Sequence, residues 1–515
     1  MSAAEELRRR ISTQVGREAY AAVEILKEAV SIPSISLIGK HRKDCLKMAD
    51  WLIKLVRDNG GTAKAVKTGY QGTQGKNHCQ LPPVILADFE AEGGSEKPTL
   101  LIYSHYDVAP VTEEQCWSSS PFTLKESRDG RMFGRGVSAS KGPLIACILA
   151  ASMFKKLGKA IPINIKFIVE GMAESASECL HELATHEAQA GGFLSSVDFA
   201  CLPNFSWIDS SCPTIPVATS GALNMSLAVS SCSRDLKAAE FSGAVHEPLV
   251  ELSKILGCLV DSQGRVLIGH AKQTPSALVQ AAHKEVDQSK MDLDAWKRCG
   301  GGLKHLKGEN NELELRLNQV YRSVLSIHSI ETNGSVLKAS NFIPRKATAK
   351  AVLRLAPGQD PDRVGILVGE TMQKTFNRME SPNNFELCIT LHPEYNVNTK
   401  GALFQAATRT AKKVYHKRPH KVRLGNSTDI SCLLEDVLQA DVTYIPLGGP
   451  GDNVHGIDEN MEKSQFLSAI VYMTNLFEEL SKTPIQKTAA PPSHSDEELS
   501  SYSLLSRISN LIAGT

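Results

Sequence analysis

The sequence predicts an α/β fold with a mostly parallel sheet, interrupted by an inserted α+β domain, and three observations predict it. Short apolar runs bounded by Pro and Gly alternate with helix-like stretches through the first two hundred residues, the rhythm of doubly buried strands and crossover helices. Near Pro216 the texture changes to strict alternation of apolar and polar residues, which suits a sheet with one wet face. From about Tyr395 the first rhythm resumes.

Taken in order, Glu5 to Val30 reads as a helix, with apolar residues at Ile11, Val15, Tyr20, Val23 and Ile25 or Leu26, and Pro33 marking the stop. A second helix is predicted over Asp44 to Arg57. "PPVILADFE" and "PTLLIYSHYD" follow as strands. In "KGPLIACILAASMFKKLG", Pro143 falls in the first helical turn, where a missing N–H costs little, and Gly158 falls where a helix ends. "INIKFIVEG" is the next strand.

In the insertion, "ALNMSLAVS" alternates at Leu223, Met225, Leu227 and Val229. A helix, a polar stretch from Gly300 to Glu312 and the alternating "TAKAVLRLAP" complete it. "DVTYIPLGG" is a further strand and "SQFLSAIVYMTNLFEEL" a closing helix. The resulting boundaries are 1–216 with 393–482 for the interrupted domain and 217–392 for the insertion. Residues 483–515 read as a Pro/Ala linker and an amphipathic helix opened by a capping box of Ser495 and Glu498.

At 515 residues the chain exceeds what one core serves, which agrees with this division. Its 57 Lys and Arg balance 56 Asp and Glu, so no overall field draws it to nucleic acid or to an anionic membrane, and neither is an expected partner. No apolar run reaches the roughly 18 residues that a membrane span needs. The opening "MSAAEELRRRISTQV" has no apolar segment of signal-peptide length, and the twelve cysteines form no Cys-x-x-Cys pair. Most cysteines are therefore expected to be buried small hydrophobes in a reducing, cytoplasmic setting.

The residues that carry chemistry gather at predicted strand ends, where open α/β sheets place their ligands. His105 ends one strand, and Asp107 two residues on is placed to bond its second ring nitrogen and fix the tautomer. Glu174 follows a second strand in "VEGMAES", and His455 lies in the glycine-rich "GPGDNVHG" after a third. Singly, each suits a structural role as well as a functional one; three at three strand ends is a better signal for a metal site. Between them, "GRGVSASKG" (Gly134 to Gly142) has the glycines of a tight turn, yet holds Ala139 and Ser140 where acids would be expected.

These segments together resemble the aminoacylase/dipeptidase family of dinuclear metallopeptidases, and within it the branch of cytosolic nonspecific dipeptidase and carnosine dipeptidase. The resemblance is carried by "LLIYSHYDVAPV", "CWSSSPFTLKESRDGRMFGRG", "KGPLIACILA", "IPINIKFIVEGMAES", "FIPRKATAKAVLRLAP" and "PLGGPGDNVHG", and runs from about residue 15 to residue 482. It implies a zinc-exopeptidase-like catalytic domain, an insertion serving as lid and dimerisation domain, a homodimer through that insertion, and a peptide-like small-molecule ligand.

Carried over position by position, the resemblance makes His105 a metal ligand and Asp107 the residue that orients it. The family's Asp-Asp-Lys-Gly loop supplies a metal-bridging Asp, and that place is Ala139. Of the paired glutamates, the general base is replaced by Ala173 and the metal ligand is Glu174. A further Asp ligand is matched by Asn204, and the last ligand is His455. On the substrate side, Lys237 stands where the family has a His that reaches across the dimer, Arg354 matches a carboxylate-binding arginine, and Ser427 matches a loop that holds the substrate's C-terminus.

Two of five metal ligands and the base have changed, so the resemblance implies a non-hydrolytic relative that binds a peptide-like ligand or a partner, with no cofactor beyond at most one weakly held Zn or Mn. Two alternatives stand beside it. One is a metal-independent enzyme using Lys237, His105, Asp107 or Glu174 as acid/base groups; the other is a residual metal-dependent dipeptidase.

Overall fold

The first helix shows how the apolar pattern sorts itself. In α1 (Ala3–Val30), Ile11, Val15, Val23 and Leu26 are buried, while Tyr20 is 75% exposed. Tyr20 lies five residues beyond Val15, about 140° round the helix, and so leaves the stripe to which its hydrophobicity alone had assigned it. The computed structural model describes residues 3–71, 79–112, 115–177, 179–268, 275–288, 291–308, 311–332, 341–426 and 429–484. The capping box at Ser495 and Glu498 and its helix lie outside the described residues.

After α1 and α2 (Arg42–Asp58) come β1 (Thr62–Val66), β2 (Val84–Phe89), β3 (Thr99–His105), α3 (Lys141–Lys156), β4 (Asn164–Glu170) and β5 (Phe199–Leu202). Much later, β12 (Asp441–Tyr444) joins the same sheet, whose order is β1-β2-β4-β3-β5-β12. The pairs β4/β3, β3/β5 and β5/β12 are parallel, and β1/β2 and β2/β4 antiparallel. "PPVILADFE" thus forms a strand buried on nearly every residue, yet runs against both neighbours: apolar composition reports burial and is blind to direction. Helix α3 is buried almost throughout, and α1 and the closing helix α9 (Lys463–Leu480) pack on it.

Between these halves the chain builds a second sheet from β7 (Ala222–Ser230), β8 (Val324–Thr332), β9 (Lys346–Arg354) and β10 (Asn384–His392), ordered β8-β9-β7-β10 and antiparallel throughout. Leu223, Met225, Leu227 and Val229 face α4 (Pro248–Gly257) and α6 (Pro361–Asn377) across a second apolar core, while Asn224 and Ser226 on the other face are exposed. A helix α5 (Ser276–Gln288) precedes a five-residue π-helical turn, Leu317–Tyr321, in which Leu317, Val320 and Tyr321 are buried. The parallel pair β6 (Thr214–Ala218) and β11 (His420–Arg423) lies at the junction of the two layers, with helices α7 (Ala402–Tyr415) and α8 (Ile430–Leu438) on either side of β11 in sequence.

Among the described residues no helix is long and apolar enough to cross a membrane. The cysteines are more varied than their composition suggests. Cys45, Cys147, Cys201 and Cys212 are buried, but Cys116, Cys232 and Cys388 are exposed and Cys179, Cys258 and Cys432 half-buried. A small thiol fits an edge or turn as readily as a core.

The turn after β4 carries local strain. Ala176, Ser177 and Cys179 all have positive φ (69°, 51° and 68°), a left-handed region that costs a residue with a Cβ about 1–2 kcal/mol. Glycine returns about 0.5–1 kcal/mol of that in chain entropy. Ala176→Gly is therefore expected to raise the unfolding free energy by about 0.5–1 kcal/mol in urea titration; an unchanged or lower midpoint would show that the turn is not strained.

Candidate active site

The cleft is built on the carboxyl ends of β3, β4 and β5. His105 is the last residue of β3, paired in register with Glu170 at the end of β4. Its Nδ1 lies 3.2 Å from Asp107 Oδ1 and 3.1 Å from the Asp107 carbonyl oxygen. Asp107 is fully buried. Its carboxylate also accepts Ser36 Oγ (2.6 Å), the Glu174 amide (2.9 Å) and the Ala173 amide (3.3 Å). One carboxylate thereby fixes both the imidazole and the start of the turn that follows β4. Burial works against a charged His105, but the bond to Asp107 and the nearby Asp107 and Glu174 charges outweigh it and lift the ring to about 9. Ser36, 71 residues from Asp107 in sequence, carried no sequence signal.

Glu174 and His455 meet directly, with Glu174 Oε1 2.9 Å from His455 Nε2. Burial raises the Glu174 carboxyl, yet His455, His105 and Arg135 together hold it below the ordinary range. His455 itself has φ +63° and a half-exposed side chain. Asn204, two residues past β5, accepts a bond from Ser104 Oγ at 3.3 Å, so it sits against the end of β3.

The loop from Gly134 to Gly142 is held by a residue the sequence reading missed. Buried Glu459 accepts Arg135 Nη1 (2.9 Å) and the amides of Gly136 (3.0 Å), Ser138 (3.1 Å) and Ala139 (3.0 Å). Arg135 and Glu459 are both inaccessible, and the guanidinium also lies 5.0 Å from the Trp117 ring. A Cβ at residue 142 would stand 2.0 Å from the Val137 carbonyl, so only glycine fits there. The available signal was Arg135 itself, a charge flanked by two glycines just after a short strand.

Ser138 Oγ donates to buried Asp452, which also accepts the Gly449 amide at 2.8 Å. Burial, opposed by these bonds, pushes the Asp452 carboxyl up to about 7. The folded chain therefore holds this proton where the unfolded chain has released it, and the group's contribution to stability falls as pH rises from about 4 to 7. Wild type is expected to lose more stability than Asp452→Asn between pH 5 and pH 8 in urea titrations; parallel pH profiles would refute this.

Of the residues expected to face a substrate, Arg354 ends β9, is half-buried, and donates through Nη2 to the Asn318 carbonyl of the π-helical turn at 3.2 Å. Loss of water on burial lowers its proton affinity. A Cβ on Gly425 would stand 2.8 Å from Arg354 Nη1, so the guanidinium lies against the loop that leads to position 427. Ser427 is outside the described residues. Lys237 is exposed and pairs with Glu240 on its own segment at 2.9 Å. Among the described residues no three His, Cys, Asp or Glu side chains converge as a metal-holding group.

The cleft's relatives are now definable. Residues 101–479 match the family described as Peptidase family M20/M25/M40. The Beta-Ala-His dipeptidase of Mus musculus is 30% identical over 464 residues, covering 89% of this chain and 93% of that protein. The Cys-Gly metallodipeptidase DUG1 of Saccharomyces cerevisiae is 31% identical over 466 residues, covering 89% and 95%. Among solved structures, the dipeptidase Dug1p from Saccharomyces cerevisiae superposes with a TM-score of 0.85 at 28% identity, covering 93% of this chain and 99% of that one. Human carnosine dipeptidase 1 gives 0.83 at 27%, with the same coverage.

Proposed function

Because the chain belongs to Peptidase family M20/M25/M40, we propose that it is a non-hydrolytic member of that family, whose cleft binds a peptide-like ligand. The observation that carries this reading is the use made of the two alanines. Ala139 and Ala173, at the places of the bridging carboxylate and the general base, contribute backbone amides only, one to Glu459 and the other to Asp107. Beside them Glu174 and His455 are bonded to each other.

Physically, two divalent cations about 3.5–4 Å apart repel strongly, and a shared carboxylate makes the pair tolerable. A methyl group ligates nothing, and the neutral amide of Asn204 is a poorer zinc ligand than a carboxylate. One ion would keep Glu174 and His455; the other would keep His105 and at most the Asn204 oxygen, fewer than the three protein ligands that catalytic zinc usually has. Loss of the base removes a contribution of about 10²–10⁴ in rate. Arg354 supplies a positive group for a ligand carboxylate, next to the loop that carries Ser427.

The same reading divides the chain at 1–216 with 393–482, 217–392 and 483–515, pairs two copies through the insertion, and places the protein in the cytoplasm. Metal analysis of freshly purified protein, alongside a panel including β-Ala-His and Cys-Gly, is expected to give substoichiometric metal and no released amino acids, with or without added Mn²⁺ or Zn²⁺. Stoichiometric metal with chelator-sensitive cleavage would replace this reading with a residual dipeptidase. Turnover of a different substrate that survives chelation and fails in His105→Ala would replace it with a repurposed enzyme.

A further inference from the structure

Two connections bound the insertion that carries the four-stranded layer: the segment after β6, through residues 219–221 into β7, and the return from β10 through residues 393–397. They lie side by side. The Thr219 amide donates to the Tyr395 carbonyl and the Val397 amide to the Val217 carbonyl, each at 2.9 Å, and Ala218 bridges to Asn396. Gly221 sits so close to the return segment that a Cβ there would stand 3.1 Å from the His392 carbonyl and 3.2 Å from the Glu394 amide. A rotation of one layer against the other bends the chain at these residues, since hinges are the few positions that absorb the φ/ψ change.

One side chain grips both connections. The Arg423 guanidinium, at the end of β11, donates to the Thr219 carbonyl (3.1 Å) on the outgoing segment. On the return segment it reaches Glu394 Oε2 (3.3 Å) and Asn396 Oδ1 (3.0 Å). Glu394 and Asn396 are in turn bonded to each other at 3.0 Å. The Arg423 backbone is anchored independently. Its amide donates to Glu285 Oε2 (3.2 Å), and its carbonyl accepts Arg316 Nη2 (3.0 Å).

Glu285 and Arg316 form a buried ion pair, and Tyr321 Oη closes it with a 2.8 Å bond to Glu285. These three come from α5, from the short helix before the π-helical turn and from that turn, all within the stretch between β7 and β9. Nearby, Met291 and Leu315 from the same stretch share a small apolar cluster with Ile208, Val422 and Leu424.

We propose that Arg423 is a hinge latch: backed by the buried Glu285–Arg316 pair, it ties both interlayer connections together and fixes the angle between the layers. The latch acts on the shape of the cleft and is independent of whether that cleft hydrolyses anything. A guanidinium suits the task because its planar fork reaches three acceptors at once, which a lysine ammonium on a single stem does not reproduce.

The test uses the full chain, with hydrogen exchange followed peptide by peptide and small-angle scattering on the same samples. In Arg423→Met, amides within 219–221 and 393–397 are expected to exchange about tenfold faster or more, the loss expected from charge-assisted bonds, while β3 and β4 stay protected. The scattering profile should shift to a broader distribution of interlayer distances, which a purely local packing defect does not produce. Unchanged hinge exchange or an unchanged distance distribution in a folded variant overturns the proposal. Should Arg423→Met not fold, the milder Glu394→Gln/Asn396→Ala variant carries the same two expectations and the same refutation.

Discussion

On the proposed non-hydrolytic reading, introducing Asp at position 139, Glu at 173 and Asp at 204 together is expected to give a chain that carries divalent metal and releases amino acids from β-Ala-His or Cys-Gly in a chelator-sensitive way. The expectation rests on what holds the loop. Its conformation is set by Glu459, Arg135 and the glycines, all backbone-directed, so a carboxylate at 139 would enter a frame that is already formed. His105 is likewise already oriented by Asp107, and Glu174 already lies within 3 Å of His455. Adding the base to an Ala139→Asp/Asn204→Asp background should raise the rate by about 10²–10⁴. Elemental analysis and steady-state kinetics on the wild type, the double variant and the triple variant check this. A folded triple variant that takes up no metal would show that more than three side chains separates this cleft from a metal site.

Glu459→Ala is expected to be the most destabilising single change near the cleft, at about 3–5 kcal/mol, because it strands a fully buried guanidinium and frees three loop amides at once. Urea titration measures it. The double variant Arg135→Met/Glu459→Met should lose much less than the sum of the two single losses, since neither leaves an uncompensated charge. A loss of less than about 1 kcal/mol for Glu459→Ala would mean that water or another acceptor takes the place of its carboxylate.

How far the sequence is legible follows from what each signal measures. Periodicity measures burial, so it located β3, β4, β7, β9 and the closing helix, and placed Leu223, Met225, Leu227 and Val229 on one face. It gave no strand direction for β2 and mistook Tyr20 for a member of the buried stripe. In the site, the contact between His105 and Asp107 is legible because two residues at a strand end are close whatever the fold does elsewhere. The supports of the same site are not. Ser36 and Glu459 reach their partners across 71 and more than 300 residues of chain, and nothing local marks them.

Short-range chemistry, then, was determined by the sequence alone: which stretches bury themselves, which loop needs glycine, and that positions 139 and 173 hold methyl groups. Tertiary structure decided everything that depends on bringing distant segments together. It sent Glu459 into the loop at Ala139, set Glu174 against His455, and put Arg423 across both connections between the layers. The reason is that a hydrogen bond is specified by distance and angle in space, while a sequence specifies only separation along the chain.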